Sequence, residues 1–173
     1  MITTHIRNVI QREGGYVNHP ADRGGPTKYG VTQKTLARHR GAWVTEQDVQ
    51  DMPREEAEEI YEHTYWIQPG YDSLDISPTM EEMVLDAAIH HGTHKCTKML
   101  QAAVNATQDG DLGPKTRASI DRLDDFQLAA YFIAERVVFF GEIVDNDHSQ
   151  AVFIEGWLKR MRHLIRMISH ADI

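Results

Sequence analysis

Two carboxylates, Glu13 and Asp22, lie in one glycine-dense stretch, Glu13 to Thr32, that reads EGGYVNHPADRGGPTKYGVT. Gly14, Gly15, Gly24, Gly25 and Gly30 let a backbone approach a ligand closely, and with Pro20 and Pro26 they break any long helix. Glu13 holds a special position. Ile2, Ile6, Val9 and Ile10 mark the apolar face of a helix over residues 2–12. Glu13 follows Ile6 by seven and Ile10 by three, so it leaves that helix on the apolar face. A carboxyl there is expected to be partly desolvated, which favours the protonated form that a general acid needs. The competing reading is a Glu that ends a helix and points to water.

The surrounding elements follow from local signals. The Gly-rich stretch suits short strand pieces with tight turns, hence a small hairpin or ordered loop near residues 14–31. Thr32 caps a short helix through Arg40, which Gly41 stops. Thr45-x-x-Asp48 reads as a capping box, and Pro53 suits the first turn of a longer helix. Ala57, Ile60, Tyr61, Thr64 and Tyr65 share one face of it. Gln68 to Pro78 is a connector. Met80, Met83, Val84, Ala87 and Ala88 mark a largely apolar central helix, broken at Gly92-Thr93. A further stripe runs from Cys96 to Val104. Asn105 to Gly113 is turn-rich, Pro114 restarts a helix, and Asp124 caps a long one. Asp145 to Gln150 is a polar break before a last helix from Ile154 to Ile168. The expected fold class is mainly α, with about eight helices.

At 173 residues the chain can bury a sizeable core. Its one cysteine, Cys96, excludes an internal disulfide and any cysteine-cluster metal site. The net charge is −8. Val44 to Glu62 carries eight acids against Arg54 alone and reads as a solvated face. With no basic stripe, no nucleic-acid partner is expected. Residues 1–13 are too short and too charged for a signal peptide, and no apolar run is long enough for stable membrane insertion. Asp86, His90 and His94 stand at i, i+4 and i+8, as metal ligands could on an unbroken helix. Gly92-Thr93 interrupts that helix, and no H-E-x-x-H motif occurs. Asp109-Gly110-Asp111 lacks the acidic twelfth residue of a calcium loop, since position 120 is Ile120. No metal and no cofactor is therefore expected.

E-G-G-Y at residues 13–16, D-x-G-G-x-T from Asp22 and Y-G-V-T from Tyr29 resemble the signature of glycoside hydrolase family 108. These are N-acetylmuramidases common among bacteriophage endolysins, with a lysozyme-like α+β fold. Tyr61 and Tyr65-Trp66 resemble the family's Y-x-x-x-Y-W segment. Leu100 to Thr116, LQAAVNATQDGDLGPKT, resembles its peptidoglycan-binding-like half, and Gly156-Trp157 to Arg160 its closing G-W-x-x-R. One departure stands out: the family usually has Asn where this chain has His90.

The resemblance implies a catalytic lobe over residues 1–78 and a helical peptidoglycan-binding-like lobe over 79–173, packed as one domain. It matches Glu13 to the family's catalytic acid. Asp22 is the second carboxylate that glycoside hydrolysis usually needs, or else a turn cap before Gly24-Gly25. Thr27 matches the Thr that helps place water in phage-type lysozymes, or else is only a hairpin residue. Tyr16, Asn18 and Tyr29 beside the acids could stack on sugars and bond to hydroxyl and acetamido groups, with hairpin packing as the alternative. Trp66 and Trp157 read as core. His90 takes the place of a substrate contact. The implied activity is cleavage of the β-1,4 bond between N-acetylmuramic acid and N-acetylglucosamine during phage lysis. The implied setting is a monomer held in the host cytoplasm that reaches the periplasmic wall with a holin. A non-catalytic peptidoglycan binder and a zinc amidase remain as alternatives.

Overall fold

The computed structural model describes residues 2–18 and 25–168. They fold mainly as α-helix with one small sheet, in two compact units, Met1–Gln68 and Pro69–Ile173. The connector from Pro69 to Pro78 lies in the second unit.

In the first unit, α1 (Ile2–Glu13) buries Ile6 and Ile10, as the spacing predicts. It lies along α4 (Arg54–Glu62), whose Ala57, Ile60 and Tyr61 are buried. Arg7 holds both carboxylate oxygens of Glu58 at 3.2 and 3.0 Å, and Arg54 donates to the Arg7 carbonyl at 3.0 Å. These contacts tie the two helices at their exposed edge.

Three two-residue strands form an antiparallel sheet: β1 (Tyr16–Val17), β2 (Thr27–Lys28) and β3 (Val31–Thr32), in the order β1-β2-β3. Tyr16 faces Lys28 and Val17 faces Thr27; Thr27 faces Thr32 and Lys28 faces Val31. The β2–β3 turn is Tyr29-Gly30, with φ of 54° and 77°. Two successive positive φ angles characterise the tight hairpin turn whose twist matches its strands. Thr32 caps α2 (Gln33–Arg40), and Gly41 closes it in the left-handed region.

The Thr45 capping box is present in both directions and starts α3 (Glu46–Asp51). Pro53 is the N-cap of α4 rather than a residue of its first turn. After Glu62 the helix loosens into a π-helical turn over His63–Ile67, which periodicity alone does not announce.

In the second unit, α5 (Pro78–His91) is the apolar centre, with Met80, Met83, Val84, Leu85, Ala87 and Ala88 all buried. It packs with α6 (Thr93–Ala103) and α8 (Asp125–Asn146); α7 (Pro114–Ile120) lies between those two in sequence. α9 (Ile154–Ile168) packs on α8. The expected break from Asp145 is shorter than predicted. Helix α8 runs on to Asn146, and a 3₁₀ helix over His148–Phe153 leads into α9. The count among the described residues is therefore nine α-helices. Cys96 is buried and donates to the Val84 carbonyl at 3.4 Å; burial pushes its thiol up to about 12, so it is packing material.

Candidate active site

Glu13 is the last residue of α1, and the chain turns immediately through Gly14 at φ 83°. Gly30, at the tip of the β2–β3 hairpin, comes up against it. A Cβ built on Gly30 would stand 3.3 Å from Cγ of Glu13 and 3.5 Å from its Oε2, and it would overlap the Tyr61 hydroxyl. Only glycine meets both the positive φ and this close approach. Glu13, the hairpin tip and Tyr61 therefore form one cluster.

Tyr65 completes it, with its ring centroid 5.4 Å from that of Tyr61. Burial, with the Glu13 carboxylate adding to it, pushes both phenols up, so both stay protonated and neutral. Glu13 itself is exposed. This corrects the expected partial burial. The apolar face of α1 ends at Ile10, and the exposed Glu13 stands at the helix end where Gly30 and the Tyr61 hydroxyl meet it.

Thr27 sits on β2 and donates its hydroxyl to the Gly25 carbonyl at 2.9 Å. Its oxygen keeps lone pairs free to accept. Tyr16 and Asn18 meet on a residue outside the expected set. The Tyr16 hydroxyl donates to Oε1 of Glu46 at 2.6 Å, and the Asn18 amide donates to the same oxygen at 2.8 Å. Hydrogen bonds from Tyr16 and then Asn18 hold the Glu46 carboxyl below its usual range. Glu46 reads in sequence as one more acid on a solvated face, and its pairing across 30 residues leaves no local signal.

Tyr29 is half-buried in the hairpin turn, with the Lys28 ammonium 5.2 Å from its ring centroid. Lys28 donates to the carbonyls of Gln50 and Met52 at 2.5 and 2.9 Å and so ties the sheet to the end of α3. Asp22 lies outside the described residues. A further aromatic escaped the sequence reading: Trp43, between α2 and α3, is 83% exposed. Gly41 on one side and Val44 on the other hold its loop, the Val44 carbonyl accepting from Gln33 at 2.7 Å.

Trp66 is buried, as expected, and Trp157 is half-buried, stacked on Phe140 at 4.9 Å. His90 belongs to the second unit. Its Nδ1 lies 2.7 Å from the Asp86 carbonyl, and Arg160 reaches its ring. The Asp86 carboxylate accepts from Arg136 at 2.8 Å and from Arg160 at 2.7 Å. Two guanidinium groups thus occupy the oxygens that a metal would need. His94 packs instead on Gly110, and among the described residues no group of three His, Cys, Asp or Glu could hold a metal.

The glycosyl hydrolase 108 family model matches residues 6–92, which contain Glu13, the sheet, Tyr61 and Tyr65. The chain belongs to the glycosyl hydrolase 108 family. A second family model, the predicted peptidoglycan domain, matches residues 95–162. The structure of Brucella abortus SagA is similar over nearly the full length, with a TM-score of 0.75 and 29% identity, covering 96% of this chain and 92% of that one. Among curated proteins none matches the chain. This glycosyl hydrolase 108 chain is a glycoside hydrolase of the lysozyme type with peptidoglycan as its partner. Among its described residues no helix is long and apolar enough to cross a membrane.

Proposed function

We propose that this glycoside hydrolase is an N-acetylmuramidase with Glu13 as its general acid. The observation that carries the reading is the placement of Glu13, an exposed carboxyl fixed at a helix end against Gly30 and the neutral phenol of Tyr61. Glu13 gives its proton to the oxygen of the β-1,4 bond leaving N-acetylmuramic acid, and N-acetylglucosamine departs as an alcohol. Water supplies the new hydroxyl on the muramic acid. Thr27, with its proton committed to the Gly25 carbonyl and its oxygen free, is suited to accept from that water. Asp22 is the second carboxylate of this reading. Tyr16 and Asn18, held on Glu46, together with Tyr29 offer the aromatic and amide contacts that sugars use.

The setting we propose is phage lysis by a monomer that waits in the host cytoplasm and reaches the wall through a holin.

Product analysis on purified sacculi tests the chemistry. Muramidase action releases new reducing ends at muramic acid and leaves free amines unchanged, whereas free amines without reducing ends would mark an amidase. EDTA leaves the rate intact. The Glu13→Gln protein keeps shape and loses the proton, so the rate drops at least about 10²-fold, the lower range for general acid catalysis. A near-normal Glu13→Gln rate would overturn the assignment.

A further inference from the structure

The loop Asn105 to Gly113 and the start of α7 line an open cleft of about 650 Å³ in the second unit. That volume falls in the range of small-ligand sites. Its floor is rigid. Gln101 is fully buried, and its amide nitrogen reaches Oδ1 of Asp109 at 2.6 Å, the Asp111 carbonyl at 3.0 Å and the Thr116 hydroxyl at 3.2 Å. Its amide oxygen accepts from the Gly110 nitrogen at 2.9 Å. The Asp109 carboxylate in turn accepts from the Asp111 nitrogen at 3.0 Å. Gly110 stands at φ 85° with the His94 ring filling the space a side chain would take. The loop is thus held from beneath by one buried amide.

Its rim is the opposite. The side chains of Asn105, Thr107, Asp111, Lys115 and Ser119 line the cleft and make no hydrogen bond or ion pair with the described residues. A rigid floor beneath a ring of uncommitted polar groups is how a preorganised binding site is built. The chemistry of the rim selects the ligand. No aromatic side chain lines the cleft, so it lacks the platform on which sugar rings stack. Besides the Asp109 carboxylate, already held by Gln101 and the Asp111 nitrogen, it offers a free anion at Asp111 and a cation at Lys115. That pair matches a ligand bearing both an ammonium and a carboxylate, with Asn105, Thr107 and Ser119 left for amide groups.

We propose that this cleft binds the peptide stem of peptidoglycan, the stem's free ammonium at Asp111 and a carboxylate at Lys115. The identity of the ligand rests on peptidoglycan being the partner; the division of labour, glycan to the first unit and peptide to the second, goes beyond it.

The test uses the full chain carrying Glu13→Gln, so that bound material survives. Titration calorimetry compares a soluble disaccharide–peptide with the same disaccharide freed of its peptide. The peptide-bearing ligand is expected to bind at least 10-fold more tightly. Lys115→Ala and Asp111→Ala, both at exposed positions that leave the fold intact, are expected to erase that difference while the thermal midpoint stays put. Equal affinity for the two ligands overturns the proposal, as does wild-type preference in both variants. Reducing-end release by the unmodified chain is measured in parallel on purified sacculi, whose strands keep their stems. Its absence would sink the muramidase reading alone and leave the stem-binding result standing.

Discussion

Gly30 carries more of the candidate site than its size suggests. It lets the hairpin turn at φ 77° and lets the tip lie on Glu13 and Tyr61. Gly30→Ala forces a left-handed alanine, which costs roughly 1–2 kcal/mol, and drives a methyl into the Tyr61 hydroxyl. Both a lower thermal midpoint and a large loss of hydrolysis are expected, read by calorimetry and reducing-end release. Trp43 separates the two effects. At 83% exposure it adds little to the fold, so Trp43→Ala is expected to leave the midpoint unchanged. If its indole stacks on the glycan, KM rises several-fold with kcat held; an unchanged KM would remove Trp43 from substrate binding. His91 supplies a pH signature. Burial, then the Arg136 charge, lowers it to about 4 from an ordinary 6.5. The unfolded chain therefore binds the extra proton first, and stability is lost as pH falls from about 6.5 toward 4. His91→Gln is expected to flatten the thermal midpoint across that window.

At the scale of elements, short pieces depend on caps. Helix α3 has only six residues and owes its start to the Thr45–Asp48 box. Its first residue, Glu46, then meets Tyr16 and Asn18. Thr45→Ala is expected to cost about 1 kcal/mol, the usual value of a lost cap. It should also loosen the grip on β1, seen as faster amide exchange at Tyr16 and Val17. Unchanged exchange would mean that the sheet, with Lys28 tied to the end of α3, holds itself.

At the scale of the molecule, one carboxylate ties three helices of the second unit together. Asp86 of α5 joins Arg136 of α8 to Arg160 of α9. Arg136 is fully buried, and its Nε and Nη1 have no partner among the described residues. Removing Asp86 would leave a buried cation unpaired, which costs about 3–5 kcal/mol. Asp86→Ala is therefore expected to lower the thermal midpoint sharply. An Asp86→Ala protein that melts like the parent would show that α8 and α9 dock by apolar contact alone.

How much of this was legible in the sequence depended on the range of the interaction. Thr32 and Gly41 bound α2, Thr45 boxes with Asp48, Asp124 caps α8, and Ile6 and Ile10 point inward. Each of these rests on residues a few positions apart, where backbone geometry alone sets the partners. The resemblance of the Glu13 signature to a hydrolase family was equally local. What tertiary structure decided lies across long separations. It put the Tyr29-Gly30 tip on Glu13 and Tyr61, turned Glu46 from a surface acid into the anchor of Tyr16 and Asn18, and left Glu13 exposed where its helix face pointed inward. It gave Asp86 to two arginines instead of a metal. A helix period says which face is apolar but not where the helix stops burying it. A charge in the sequence likewise carries no record of the partner that folding will bring, because that partner is chosen by packing and not by spacing.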